Sequence, residues 1–584
     1  MTRTSRGSGR GRGARVVAMA LATALAASGC TLFGEADAEG DGGGSITVQT
    51  TNFPILDPQV VTNGMWASAQ GLLEGLVLQN KEGTDVVPGV AEKWQASEDG
   101  LTYTFQLRED AQWSNGDSVT AQDFEWTYKR MLTPGKGAGV TLGANSFQPG
   151  LGIAGAADHM GGALKDWSEV GIKATGEREL TFTLAARNPD FLMGLTHPSM
   201  LPLHPDTVEK HPKDWQTPKH WVGNGPFNLD GWVKNSRMTL TRNKHYWDPE
   251  NVHLDTVNIR LIEGDLPTVG YENGEVDITM LNTEDVIRFD ADAELKNAVR
   301  KTSPNVVAYL ALLRSQNKAL QDPQVREALS VGLDREKVAK NIPGAEPGPS
   351  LLPGSLPGWD AKVATETDIA RAKELLADAG YPNGKGLPEI KIMSGLAGTS
   401  TPAIDAIVDI WQEELGVKVK ADTLEAGVYV EKRWQVHPDD YAGFYYGTFS
   451  GNVTWPYYAG VLWGPQFLAE FSLPPDVWAR YQKIQNDKKL DPAKMNAQLA
   501  ALRDKHASPE AKKYGELVTE ANAAETAEEQ VRLYQEAELA RSSSHLILPV
   551  SWNSTMYAVR SSLEGVNLRP TLDGYYFKGI GVNG

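Results

Sequence analysis

The chain has 584 residues, 41% hydrophobic and 22% charged, a globular composition long enough for more than one core. That composition excludes disordered, collagen-like and disulfide-scaffold proteins. The net charge is −18, and the first 29 residues hold five arginines and no acid, which leaves 51 basic against 74 acidic residues, or −23, in the remainder. A body that acidic repels phosphate backbones, so nucleic acid is excluded as a partner.

Residues 1–29 predict an export signal. Arg3, Arg6, Arg10, Arg12 and Arg15 make its start basic, and the apolar run Val16 to Ala27 is too short to cross a bilayer of about 30 Å. Small residues then precede Cys30, the chain's only cysteine. This junction resembles the lipobox of bacterial lipoproteins, in which the cysteine becomes the new N-terminus and carries lipid. Ala27 stands where that motif commonly has Leu. A single cysteine excludes an intrachain disulfide and a cysteine-based metal site. Residues 30–45 are Gly-rich and acidic and read as a flexible tether. No later stretch reaches the ~18 apolar residues of a membrane span. The expected location is therefore outside the cell membrane, anchored to its outer face by lipid on Cys30.

In chain order, Ser45 to Thr51 alternates as a strand and residues 52–58 form a turn-rich loop. Met65 to Leu78 predicts a helix. Trp94 to Arg108 predicts a hairpin turning at Asp99-Gly100. Thr120 and Asp123 form a capping-box-like start to a helix over 121–131. Strands follow at 180–184 and 238–241. Asp322 caps a helix through Val331, and helices at 367–379 and 402–415 end at Gly380 and Gly416. Residues 417–421 predict a strand. Lys512 to Ser542 is strongly helical, with acids early and arginines late, as the helix dipole prefers. No repeat is present, and the class is mixed α/β.

Six segments, in order, carry a resemblance. The first runs from Val87-Pro88 through Trp94, Asp99-Gly100, Tyr103, Phe105 and Trp113 to Phe124. The others are Gly223-Asn224-Gly225-Pro226-Phe227, Arg242-Asn243 with Tyr246-Trp247, Asn273-Gly274 with Asp277, Val325-Arg326 with Asp334-Arg335, and Leu375-Leu376 with Gly380-Tyr381-Pro382. Together they resemble the solute-binding proteins of ABC importers, the large oligopeptide/dipeptide/nickel-type family 5. The resemblance implies a two-lobe fold of the periplasmic-binding-protein type with an extra domain and a ligand cleft between the lobes. Domain I is expected at 46–80, 190–283 and 548–584, domain II at 81–189 and domain III at 284–547. Hinge crossings are expected near 277–281 and 544–549. Tyr246 and Trp247 read as wedges between elements. Arg326 and Asp334-Arg335 read as a capped helix with a local ion pair.

Peptide-binding relatives carry a Trp-x-x-Asp segment whose carboxylate faces the peptide's amino end. The matching place here is Phe449 to Asn452, where Phe replaces Trp and an amide replaces the carboxylate. An amide offers only dipoles to an ammonium, so the amine is held elsewhere or the ligand has none. Asp439 and Asp440 are nearby alternatives that read first as a solvated turn. Residues 434–463 hold ten aromatic residues, and flat rings bind sugars and apolar side chains alike. The candidate ligand-binding residues are Phe53, Trp66, Trp434, Phe449, Asn452, Trp455 and Tyr457.

Enzyme motifs are absent: no G-x-S-x-G, H-E-x-x-H or P-loop occurs. His197, His204 and His211 lie in a Pro-rich stretch that reads as surface, so no metal is expected, and no cofactor. The expected function is capture of oligopeptides for an ABC permease and its ATPase, by a monomer. The same fold binding β-linked oligosaccharides, or serving as a peptide-sensing surface receptor without transport, are the alternatives.

Overall fold

The computed structural model describes residues 44–583 except 51–55, 61–70, 134–150, 235, 262–266, 314–316, 396–399, 426–427, 430–431, 433–442, 451–453, 457, 460–463, 488, 491 and 570–573. The signal, Cys30 and the tether up to residue 43, together with Phe53, Trp66, Trp434, Asp439, Asp440, Asn452 and Tyr457, lie outside the described residues, while Gly44 and Ser45, the expected end of the tether, are paired strand residues instead.

Two large sheets organise two lobes. The first is seven-stranded, in the order Val299–Lys301, Met556–Val559, Ile278–Leu281, Gly44–Thr50, Leu254–Leu261, Arg237–Arg242, Phe227–Val233. Gly44–Thr50 is parallel to both its neighbours, and the other pairs are antiparallel. The second is six-stranded, in the order Ala345–Pro347, Ile547–Asn553, Val306–Leu312, Gly443–Phe449, Ile390–Gly395, Val419–Leu424. Ile390–Gly395 is parallel to both its neighbours there, and it is joined to Val419–Leu424 through the helix Ser400–Leu415, because parallel strands need a crossover long enough to return.

A four-stranded antiparallel sheet, made by Ala91–Ala96, Thr102–Leu107, Glu179–Thr183 and Ile172–Ala174, belongs with the first lobe. Its hairpin turns at Gly100, whose φ of 67° is a conformation that glycine adopts without a Cβ clash. The helix Ala121–Leu132 starts with the full reciprocal capping box between Thr120 and Asp123. Phe105, Phe124, Tyr128, Phe182 and Phe191 are fully buried and pack ring on ring between that helix and the sheet. Each such ring contributes about 1.5–3 kcal/mol on burial.

The two lobes have separate cores. One main cluster draws on residues from Ile46 to Ile278 and from Tyr557 to Ile580. The other draws only on residues from Val307 to Trp552. The chain crosses between the two sheets at 302–305 and again at 554–555. Both crossings lie C-terminal of the expected positions. Ile278–Leu281 is an interior strand of the first sheet, and Ile547–Asn553 is a buried strand of the second, so neither is free to act as a connector.

Three elements differ from their sequence expectation for physical reasons. The helix expected through Leu78 gives way after Leu72, and Val77–Gln79 is a strand. The side-chain amide of Asn224 takes the backbone groups of Glu74, donating to its carbonyl and accepting from its N–H, both at 2.9 Å. Gly223 and Gly225 allow this approach: a Cβ at either would fall within 2.2–2.6 Å of Leu72 backbone atoms. The long C-terminal helix is two helices, Pro509–Ala523 and Ala527–Ser542, because Thr526 caps the second start. Arg335 is not in a local ion pair. It is 2% exposed and donates to the carbonyls of Ser330, Leu333 and Pro549, while Asp334 caps the helix Arg335–Lys340.

Tyr246 and Trp247 do pack as wedges, and they also bind a buried carboxylate that the sequence reading missed. Both donate to Glu74, the Trp247 indole at 2.6 Å, while Lys578 donates to the Tyr246 hydroxyl at 2.8 Å and pairs with Asp248 at 2.6 Å. Burial pushes the Glu74 carboxyl up, against the pull of Lys578 and these hydrogen bonds.

Candidate ligand-binding site

The two crossings are pinned to each other. Thr302 donates its N–H to the Thr555 carbonyl at 3.1 Å, and Thr555 donates its N–H to the Thr302 hydroxyl at 3.0 Å. Thr302 is 3% exposed, so each of these bonds replaces water that the site does not admit. Next to them Asn305 accepts from the Tyr458 hydroxyl at 2.5 Å, which ties the first crossing to the aromatic segment of the second lobe.

That segment is held at several points. The Trp455 indole donates to the Pro357 carbonyl at 2.7 Å, and its ring lies stacked at 6.3 Å on Tyr534. The Tyr514 hydroxyl donates to the Ala459 carbonyl, and the buried Arg541 donates to the Tyr458 carbonyl at 3.4 Å. Arg541 pairs with Glu538, both side chains at most 1% exposed, and Glu538 also accepts the Leu351 N–H at 2.9 Å. Such a pair is costly to break, because the partner left behind is a buried uncompensated charge.

From the first lobe, Asp190 reaches this segment. Its carboxylate accepts from the Thr454 hydroxyl at 2.9 Å. Asp190 precedes the short helix Phe191–Gly194, but its side chain makes no cap bond there. Asn188 fixes the residue instead, accepting the Asp190 N–H at 3.0 Å while donating to the Leu151 carbonyl at 3.1 Å. No cationic side chain among the described residues pairs with this carboxylate. Burial pushes its pKa up to about 6, against a lowering by the Thr454 bond. The Tyr534 hydroxyl, on the ring over which Trp455 stacks, is pushed up by its own burial and also by the charge of Asp190.

Of the candidate residues, two are described. Phe449 ends the strand Gly443–Phe449, half-buried, with its ring edge-on to Tyr458 at 5.5 Å. Trp455 is 5% exposed and part of the second-lobe core. Both therefore belong to the second-lobe core, and Trp455 directly follows Thr454, whose hydroxyl meets Asp190. Asp190, Thr454, Tyr534 and the Glu538–Arg541 pair were not singled out by the sequence. Asn188-Pro189-Asp190 reads as an ordinary turn, and only the fold shows what lies opposite it. A separate cavity of about 400 Å³ opens in the first lobe beside the edge strand Val299–Lys301, lined among others by Lys301, Arg560 and Leu568. It does not touch the aromatic cluster.

Two lobes with independent cores, joined by two short crossings and meeting through a carboxylate on one and a hydroxyl on the other, define a two-lobed binding protein. The chain belongs to family 5 of the bacterial extracellular solute-binding proteins, whose model matches residues 85–466. It is 31% identical over 380 residues to the periplasmic oligopeptide-binding protein OppA of Salmonella typhimurium, covering 63% of this chain and 68% of the relative. It is 30% identical over 397 residues to the probable deoxycholate-binding periplasmic protein YgiS of Escherichia coli, covering 65% and 70%. The fold matches the structure of the Escherichia coli murein tripeptide binding protein MppA with a TM-score of 0.70 at 23% identity, over 93% of this chain and 99% of the other. These relatives are binding proteins. Among the described residues no helix is long and apolar enough to cross a membrane.

Proposed function

We propose that this chain captures oligopeptides between its lobes, with the Asp190 carboxylate receiving the peptide's ammonium. The observation that carries this is a partly buried carboxylate at the lobe junction that, among the described residues, has a hydroxyl but no cation for a partner. A carboxylate in such a place is costly until a cation meets it. A peptide amine is such a cation, and it would take the position that Thr454 now occupies. With Asn452 in place of the carboxylate that peptide-binding relatives carry in the second lobe, Asp190 supplies the charge from the first. The same carboxylate repels an anionic steroid such as deoxycholate, and it gives a neutral sugar no charge-assisted bond. The oligopeptide-binding relative supports the same choice.

Around this site, with the crossings at 302–305 and 554–555, the proposal extends the first-lobe domain I from the expected 190–283 to 190–301, beside 46–80 and 556–584, keeps domain II at 81–189 and gives domain III 306–553. Ligand selects the closed form, which an ABC permease and its ATPase accept, and lipid on Cys30 holds the chain at the outer face of the cell membrane. Isothermal titration with free-amine and N-acetylated forms of one peptide tests the site. Binding of the free form alone supports it. Equal binding of both forms removes Asp190 from the role but leaves peptide capture standing.

A further inference from the structure

His211, Asp214 and His220 stand together on the first lobe, in the stretch that reads from sequence as plain surface. The local scaffold is rigid. Trp215 donates its N–H to the His211 carbonyl at 2.9 Å, and Trp221 donates to the Thr217 carbonyl at 2.8 Å, which makes two successive helical turns. Each turn is anchored by its tryptophan. Trp215 and Trp221 are 5% and 8% exposed, stack at 5.9 Å and belong to the first-lobe core.

The first turn sets His211 and Asp214 three residues apart on one face. The second brings His220 back onto His211, ring over ring at 3.7 Å and 21°. Both imidazoles turn a nitrogen to the same carboxylate: His220 Nε2 lies 3.4 Å from one Asp214 oxygen and His211 Nδ1 lies 4.0 Å from the other. One donor atom from each of the three residues lies within 4.8 Å of the other two. The neighbouring histidines are differently engaged. His204 uses Nδ1 with the Thr207 hydroxyl at 2.8 Å and Nε2 with Asp117 at 3.2 Å, and His197 binds the Ser199 hydroxyl at 2.7 Å.

We propose that His211, Asp214 and His220 bind one divalent transition-metal cation of borderline softness, Zn²⁺ or Ni²⁺. Two imidazoles and one carboxylate are the donor set such cations take, whereas Ca²⁺ and Mg²⁺ require oxygen. Coordination at about 2.0–2.1 Å draws the three donors inward and slides the rings out of their stack. The partly exposed rings are free to do this on a backbone that the tryptophans hold still, and water completes the coordination from the open side. The site belongs to one lobe and uses no residue of the crossings or of the aromatic cluster, so it is independent of the peptide reading.

The test is calorimetric titration of the full chain, without a polyhistidine tag, with ZnCl₂, NiCl₂ and MgCl₂. One equivalent of Zn²⁺ or Ni²⁺ should bind, unaffected by excess Mg²⁺. His211→Gln and His220→Gln should each weaken it by about tenfold or more with the far-ultraviolet circular dichroism unchanged, and His204→Gln should leave it intact. Absence of binding up to about 100 μM Zn²⁺, equal affinity in the two variants and the parent, or an equal loss in His204→Gln would overturn the proposal.

Discussion

Replacing Asp190 by Asn separates charge from shape at the lobe junction. Among the described residues the carboxylate has one side-chain hydrogen bond, from Thr454 at 2.9 Å, and an amide oxygen can accept the same bond. What changes is the ionised form, which burial disfavours by moving the pKa from 3.8 to about 6. That difference corresponds to about 3 kcal/mol at full effect and, because the residue keeps some exposure, to about 1–3 kcal/mol. The sign follows from proton uptake. The folded chain holds the proton more tightly than the unfolded chain, so Asp190 favours folding below pH 3.8, and this contribution is lost as pH rises through about 6. Without ligand, Asp190→Asn should therefore be more stable than the parent at pH 7.5 by about 1–3 kcal/mol and indistinguishable from it near pH 4.

Binding should move the other way. A charge-assisted hydrogen bond is worth about 1.5–3 kcal/mol, so the parent should prefer a free-amine peptide over its N-acetylated form by roughly 10- to 150-fold. In Asp190→Asn that preference should collapse. The assay is a double-mutant cycle by calorimetry, with chemical denaturation at the two pH values. A coupling near zero, or a variant that is less stable at pH 7.5, refutes the reasoning.

Two further predictions concern the frame around the site. Glu538→Ala strands the buried Arg541 and the Leu351 N–H and should cost about 3–5 kcal/mol, read as a lower denaturation midpoint. Thr302→Val keeps the side-chain volume but removes the acceptor of the Thr555 N–H, at a cost of about 1–3 kcal/mol. Because that bond pins the crossings, the same variant should change the radius of gyration without ligand, measured by small-angle scattering, while ligand restores the compact form.

Legibility of the fold tracked the range of the interactions. The Asp99-Gly100 turn, the capping box at Thr120 and the caps at Asp322 and Asp334 are settled within a few residues, and they are where the sequence places them. The end of the helix before Val77 was not legible, because it is imposed by Asn224, 150 residues away. Nor was the split at Thr526, since the acidic-to-basic gradient of 512–542 suits one helix as well as two. The crossings were displaced for a similar reason: which of two adjacent strands pairs into which sheet is decided by partners far along the chain. At the site, the aromatic richness around Phe449 and Trp455 was visible in sequence. Asp190 was not, because its meaning comes from Thr454, 264 residues on.

The central claim is that the lobes close on peptides. It is tested most directly by the thermal stability of the purified protein against peptides of two to eight residues, β-linked oligosaccharides and deoxycholate. A ligand at about 100 times its dissociation constant stabilises the folded state by about 2.7 kcal/mol, a readily visible shift. Stabilisation by free-amine peptides alone is the predicted result. Stabilisation by the sugars or by deoxycholate, with none from peptides, contradicts it.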